Sequence, residues 1–254
     1  MQIRDSAQAS LNQGNLIEYI HESPKAQIRD LNMILKNIPL PSAMPLDRIK
    51  WKDKLDRSNF INSYYMYRDV LKCTGNNLLI IGPGQGLDTV IFKWKKFNVT
   101  TLDIDPTFNP DVIGSVHSMP MFTNKQFDTV IISHVLEHLP SNYLDTALGE
   151  LSRIANHTIV YLPVTGRHGC LRLTLGFRNF KINIPWDFFN PLEKPDGKSL
   201  SYCEGQHYWE IGLRGYQKKQ MRLRFKKYFK IVKEYRNYDW LPSYNYILQA
   251  NNNR

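Results

Sequence analysis

The sequence predicts an α/β fold, an open and mostly parallel sheet flanked by helices, on three observations. A buried-strand pattern at 78–81 runs into the glycine-spaced turn Gly82-Pro83-Gly84-Gln85-Gly86, and a helical pattern follows from Leu87. Strand and helix patterns then alternate as far as Pro163, which is typical of parallel strands joined by right-handed crossovers. A basic helical segment and two further strand patterns end the chain, and they predict a terminal antiparallel hairpin.

Two domain-level regions are predicted. Residues 1–74 are expected to form an N-terminal helical extension or lid, with one helix that begins at Ser23-Pro24 and another over 60–72. Serine is a good helix cap, and proline is well placed at the first helical position. Residues 75–254 are expected to form the main domain, with an aromatic-rich insertion at about 164–212 that shows no clean periodicity.

The elements of the main domain follow from periodicity. The segment 127–133 is a continuous apolar run, which is expected of a central strand buried on both faces. The helix over 87–96 should bury Val90 and Trp94, which recur at helical spacing with Leu87 and Ile91. Strands are predicted at 78–82, 99–103, 111–116, 127–133, 158–162, 230–236 and 244–249, and the other helices after Ser141 and over 215–229.

Composition bounds the class of protein. No apolar run reaches the length of about 18 residues that a transmembrane helix needs, and the first residues lack the apolar stretch of a signal peptide. The three cysteines, Cys73, Cys170 and Cys203, have no metal-like spacing, and their odd number argues against a disulfide framework. The sequence therefore predicts a reduced, cytoplasmic protein and no metal site.

The net charge of +10 is concentrated in the basic segment 214–236, which spans the predicted helix 215–229 and the strand after it and carries ten basic residues and one acidic residue. One interpretation is a solvated helix face, and the other is an anionic partner: a phosphorylated substrate, nucleic acid or the inner membrane surface. Met221, Phe225 and Phe229 recur at helical spacing, so they are expected to face the core and not to stack on bases. Nucleic acid is therefore the least favoured partner.

Asp103 lies at the end of the second predicted strand, where an acidic side chain can accept both ribose hydroxyls of a bound adenosine. A turn aspartate is the alternative interpretation. A dinucleotide site would require glycine at position 87, and this chain has Leu87. An adenosine-containing cofactor without a pyrophosphate fits this pattern better.

These segments together resemble the class I S-adenosylmethionine-dependent methyltransferases. The resemblance runs from Leu78 to Pro163 and includes the glycine turn, the strand Thr101–Asp105, the segment Gly114–Pro120, and the strand and turn 127–139. It implies a Rossmann-like seven-stranded sheet and S-adenosylmethionine as cofactor. It also implies a set of cofactor-binding residues: Gly82, Pro83, Gly84, Gly86, Asp103, Ile104, Ser115, Val116 and Ser133.

Two positions depart from the family pattern. Many members carry an acidic residue two positions before the first motif glycine, where this chain has Ile80. Many carry aspartate where this chain has Ser115, whose hydroxyl would bond the adenine amine more weakly than a carboxylate. The backbone of Val116 and apolar packing from Ile104 are the other expected contacts of the adenine.

Methyl transfer to a hydroxyl requires a group that removes its proton, and three residues are candidates. These are His207, with Glu210 to orient it, and His134, which directly follows the fourth strand. A purely structural role is the alternative for each. The segment 207–212 resembles bacterial methyltransferases linked to surface-polysaccharide biosynthesis, which implies a sugar hydroxyl of a glycan or glycan precursor as acceptor. An RNA methyltransferase and a non-catalytic cofactor-binding scaffold are the alternative functions.

Overall fold

The computed structural model of the protein describes residues 57–175, 180–188 and 206–251. The predicted helix at Ser23 and most of the predicted N-terminal extension lie outside these residues. The described helices are α1 (Arg57–Val70), α2 (Leu87–Trp94), α3 (Leu144–Ile154) and α4 (Lys218–Lys226). The strands are β1 (Asn77–Ile81), β2 (Asn98–Asp103), β3 (Val112–Ile113), β4 (Phe127–Ser133), β5 (Ala155–Pro163), β6 (Arg167–Leu175), β7 (Phe180–Phe188), β8 (Phe229–Arg236) and β9 (Ser243–Ala250).

Seven strands form one sheet in the order β3-β2-β1-β4-β5-β9-β8. Strands β1 to β5 run parallel, whereas β9 pairs antiparallel with both β5 and β8. The predicted α/β fold with a C-terminal antiparallel hairpin is therefore confirmed. The third strand is shorter than predicted, because only Val112 and Ile113 pair with β2.

Helices cover both faces of the sheet. Alternate residues of β1 point to opposite sides, so Leu79 and Ile81 join one core cluster while Leu78 and Ile80 join the other. The first cluster contains the buried face of α3 and two residues of α4. The second contains Met66 and Val70 of α1, Phe92 of α2, and Ile131, Ile159 and Tyr161 of the sheet. A sheet buried on both faces explains the continuous apolar run of β4.

The prediction for the buried face of α2 is wrong. Val90 and Trp94 are 65% and 70% exposed, whereas Phe92 is fully buried. Phe92 packs against the rings of Tyr67 in α1 and Phe97 before β2. Helix α2 has only about two turns and carries apolar residues on more than one side. The aromatic partners of Phe92 determine which side is buried.

The basic segment 214–236 is a helix followed by a strand, as the strand and helix patterns predict, although the helix is shorter than predicted. Helix α4 ends at Lys226, and Phe229–Arg236 form the edge strand β8. Its apolar residues face the core as predicted, since Met221, Phe225 and Phe229 are buried. Arg222 pairs with Glu234 at 2.7 Å, and exposed lysines along an edge strand discourage pairing with other chains. An anionic membrane partner stays a prediction.

The predicted insertion contains a two-stranded antiparallel sheet formed by β6 and β7. Arg172 of β6 contacts the turn between β8 and β9, where its guanidinium donates to the Asp239 carboxylate at 2.5 Å and to the Tyr238 carbonyl at 2.9 Å. Among the described helices, none combines the length and the apolar character needed to span a membrane.

The glycine turn provides a prediction on stability. Gly82 has a φ of +70°, and a Cβ there would lie 2.3 Å from Cγ2 of the stiff, β-branched Val135. Gly82→Ala should therefore lower the free energy of unfolding by about 2–5 kcal/mol, through left-handed backbone strain and overpacking. Gly86→Ala is the matched control. Gly86 has a φ of +79° and no atom near such a Cβ, so it should cost only about 1–2 kcal/mol.

Urea denaturation of the two variants measures both effects. Equal losses of stability would show that the contact with Val135 does not constrain the turn.

Candidate functional site

A cleft opens at the carboxyl ends of β1 and β4, beneath α1. The glycine turn contributes Gly82, Pro83 and Gly84 to its wall, and the end of β4 contributes Ser133 and His134. Parallel strands end at the same edge of a sheet, and ligands of open α/β folds bind at this edge. Five of the predicted site residues therefore line one cleft. Gly86 belongs to the same glycine turn and lies two residues after Gly84.

Backbone geometry explains why the turn needs glycine at alternate positions. Gly82, Gly84 and Gly86 have φ angles of 70°, 53° and 79°, all in the left-handed region. The Gly82 amide donates to the Leu102 carbonyl of β2 at 2.9 Å, which fixes the start of the turn. The turn thus presents backbone to the cleft without side chains in the way.

Two hydrogen-bond acceptors in the cleft lack a donor. Asn62 of α1 donates from its amide nitrogen to the Ser133 hydroxyl at 2.9 Å. Its Oδ1 is buried and has no hydrogen-bond partner among the described residues, and the same holds for Oδ1 of Asp88. Both residues line the cleft. Buried acceptors are normally satisfied, so this pair suits a ligand that brings donors, and a cationic ammonium best of all.

Burial raises the pKa of Asp88 from its ordinary value of 3.8 to about 6, although a contact with Ser63 lowers it slightly. At neutral pH the Asp88 carboxylate is therefore ionised but poorly solvated, which lowers the stability of the folded protein. A cation bound beside Asp88 would offset that cost. The cleft is thus less stable empty than filled by a positively charged ligand.

The residues predicted to hold adenosine lie at the neighbouring strand ends and do not line this cleft. Asp103 ends β2, and its Oδ1 accepts a hydrogen bond from the Asp105 amide at 2.9 Å. Ile104 follows directly. Ser115 and Val116 are both buried just after β3, and the Ser115 hydroxyl bonds to Nδ1 of His117 at 2.7 Å.

His134 occupies an unusual backbone position. Its φ is +55°, in the left-handed region that few residues other than glycine adopt. The Tyr161 carbonyl accepts from its amide at 3.0 Å, and its ring lies 4.9 Å from that of Trp240. Backbone strain of this kind is common in functional sites, and here it directs the ring to the cleft wall.

His207 and Glu210 are in direct contact, as the sequence analysis proposed. Nδ1 of His207 lies 2.6 Å from a carboxylate oxygen of Glu210. Burial alone would lower the pKa of His207, but the hydrogen bond to Glu210 and the charge of Glu137 raise it overall. Neither residue lines the cleft under α1. They lie beside the turn that follows His134.

Backbone hydrogen bonds hold the segment around His207 in place. His138 donates from Nδ1 to the Gln206 carbonyl at 2.8 Å, and the Tyr208 amide donates to the Glu137 carbonyl at 2.8 Å. The rings of His138 and His207 lie 4.8 Å apart. The turn after β4 and the segment after the insertion therefore form one cluster.

Several residues of the site carry no strong functional pattern in the sequence. Asn62 and Asp88 each lie within a predicted helix, where polar residues are unremarkable. Glu137 and His138 read as residues at the start of a helix, and they form a short 3₁₀ turn. One signal in the sequence could have pointed to Asn62 and Asp88. Position 80 carries isoleucine and not an acidic residue, so the ammonium group of a cofactor would need another acidic or polar partner.

Comparison with known proteins gives a family match for part of the chain. Residues 79–158 match the family described as a methyltransferase domain. This range contains the glycine turn, Asp103 and the turn after β4. None of the curated proteins compared with this chain matches it.

Solved structures show the same fold at low sequence identity. The PH0226 protein from Pyrococcus horikoshii OT3 is 14% identical, with 79% of this chain and 93% of that chain covered, at a TM-score of 0.51. The CcbJ methyltransferase from Streptomyces caelestis is 9% identical over 79% and 98%, with a TM-score of 0.50. The glycopeptide N-methyltransferase MtfA is 11% identical over 78% and 97%, also at 0.50. These similarities confirm the predicted methyltransferase fold. The domain match supports S-adenosylmethionine as the cofactor.

Proposed function

We propose that the protein is an S-adenosylmethionine-dependent methyltransferase that methylates a hydroxyl group, on a sugar of a glycan or glycan precursor. The observation that carries the cofactor assignment is the cleft beneath α1, in which Asn62 and Asp88 present acceptors without donors. The amino acid end of the cofactor carries the ammonium that such a pair requires. The domain match over 79–158 independently supports the reaction class.

The remaining cofactor contacts follow from the strand ends. Asp103, at the tip of β2, is positioned to accept the ribose hydroxyls, since a carboxylate takes two O–H donors. The buried segment Ser115–Val116 adjoins it through β3, whose Ile113 pairs with Asp103, and it would border the adenine. The cofactor supplies an electrophilic methyl group on a sulfonium. The protein must align the acceptor with it and exclude water.

The acceptor side is formed by the pair His207–Glu210. A neutral His207 that donates from Nδ1 to Glu210 presents Nε2 as a proton acceptor, which is the arrangement of a general base with an orienting carboxylate. An acceptor that must lose a proton, such as a hydroxyl, makes use of this pair. His134, on the cleft wall, links the pair to the cofactor side through its 3.5 Å contact with Glu137.

A sugar acceptor is supported by two tryptophan rings. Trp240 lines the cleft, and Trp186 of β7 is 46% exposed on the two-stranded sheet whose Arg172 donates to the Tyr238 carbonyl. Flat aromatic faces pack well against sugar rings. The resemblance of 207–212 to methyltransferases linked to surface polysaccharides favours the same acceptor class. Several other aromatic residues of the predicted insertion lie outside the described residues.

Methyl transfer from labelled S-adenosylmethionine to lipid-linked sugars, with RNA as the competing substrate, tests the proposal. His207→Ala should lower kcat by about 10²–10⁴-fold and leave the affinity for S-adenosylhomocysteine unchanged. His157→Ala, a histidine change within β5, is the matched control and should keep full activity. Methylation of RNA in preference to sugars, or full activity of His207→Ala, would contradict the proposal.

A further inference from the structure

A cluster of one carboxylate and two imidazoles lies beside the cleft. Glu137, His138 and His207 each place a ligand atom within 4.8 Å of those of the other two. Glu137 is fully buried, and neither of its carboxylate oxygens has a hydrogen-bond partner among the described residues. Nδ1 of His134 lies 3.5 Å from one of these oxygens, which is beyond good hydrogen-bond distance.

The charge of Glu137 requires a partner. The carboxyl group is fully enclosed, and the imidazoles of His134, His138 and His207 lie around it. A buried carboxylate without charge-matched hydrogen bonds is costly. A cation bound between this carboxylate and the two imidazoles would offset that cost.

The hydrogen bonds of the two imidazoles set their tautomers. A carbonyl oxygen can only accept, so His138 carries its proton on Nδ1, where it donates to Gln206. His207 likewise donates from Nδ1 to the Glu210 carboxylate. In the neutral form each ring then has its lone pair on Nε2. Histidines that ligate metals are usually held in this way, by a carbonyl or carboxylate on the other nitrogen.

We propose that Glu137, His138 and His207 bind a divalent transition-metal ion. Two histidines and one carboxylate on one side of an ion leave further positions open for ligands. The positive charge would compensate the buried carboxylate of Glu137. Glu210 acts as a positioning residue, because it orients His207 without touching the ion.

The role of the ion rests on the proposed function. An acceptor hydroxyl bound at an open position loses its proton to solvent more readily. Its oxygen then attacks the methyl carbon, the carbon–sulfur bond breaks, and the electron pair of that bond stays on sulfur. In this form His207 holds the ion and does not itself remove the proton.

Titration of the chelator-treated, full-length protein with Co²⁺, followed by the visible absorption of the ion, tests the site. We expect one ion bound per chain. Glu137→Gln and His138→Ala should abolish stoichiometric binding, and Glu210→Gln should weaken it about 10- to 100-fold. His157→Ala, which removes a histidine elsewhere, should bind as the parent does. Far-ultraviolet circular dichroism shows that each variant is folded.

The measurement needs neither methyl donor nor acceptor, so its failure is distinct from failure of the proposed function. Absence of stoichiometric binding by the folded parent would overturn the site. Parental affinity in either Glu137→Gln or His138→Ala would do the same. In the activity assay, chelation should abolish methyl transfer and added Co²⁺ should restore it. A rate that chelation leaves unchanged would overturn the role of the ion and leave His207 as the base.

Discussion

Replacing Asp103 with asparagine is expected to weaken the binding of S-adenosylhomocysteine by about 100-fold or more. The carboxylate would accept two ribose hydroxyls, and each hydrogen bond to a charged group contributes about 1.5–3 kcal/mol. The loss of about 3 kcal/mol corresponds to a factor of about 100 in affinity. Asparagine retains an oxygen for the Asp105 amide, which Oδ1 of Asp103 accepts at 2.9 Å, so the local turn should survive. Calorimetric titration measures the effect directly.

Asp105→Asn is the matched control for this prediction. Asp105 is two residues away, and its Oδ1 accepts from the Thr107 amide at 2.8 Å within the same turn. Its replacement should leave the affinity within a few-fold of the parent. If both variants lost affinity equally, the effect would come from the turn, and the assignment of Asp103 to the ribose would be wrong.

Replacing Asp88 with asparagine should have two opposite effects: greater stability and weaker cofactor binding. The pKa of Asp88 rises from 3.8 to about 6 in the folded protein. The folded state therefore retains a proton that the unfolded state has released between about pH 4 and 6, and stability falls with pH over this window. A shift of about two units corresponds to at most about 3 kcal/mol. Asp88→Asn should thus be about 1–3 kcal/mol more stable at pH 7 and little changed at pH 3.5.

The same variant removes the negative charge that would meet the cofactor ammonium. Affinity for S-adenosylhomocysteine should fall about 10- to 100-fold, as expected for loss of a charge-assisted hydrogen bond. Asn62→Ala, which removes a neutral acceptor of the same cleft, should have a smaller effect. Urea denaturation at the two pH values and calorimetry are the measurements. A variant that gained stability but kept parental affinity would contradict the ammonium assignment.

Local patterns were enough to predict the sheet and the glycine turn that lines the cleft. The glycine spacing at 82–86 indicates a turn that needs left-handed backbone conformations, and all three glycines do have positive φ. The continuous apolar run of β4 predicts a strand that is buried on both faces of the sheet. Such features are determined by a few consecutive residues, so the sequence displays them directly.

Other features depend on contacts between distant segments. The side of α2 that is buried was decided by Tyr67 and Phe97, not by the helix itself. The contact of His207 with Glu210 is local and was predicted. The proximity of His207 to Glu137 is not local and was not predicted, because the path of the chain through the insertion brings these two residues together.

A structure of the protein with S-adenosylhomocysteine bound would show where the nucleoside and the amino acid end of the cofactor lie. The nucleoside should lie over the glycine turn with its ribose hydroxyls on Asp103. Its ammonium should lie within hydrogen-bond distance of Asp88 and Asn62 beneath α1. A nucleoside bound at another edge of the sheet, or an amino acid end directed away from Asp88 and Asn62, would contradict the account.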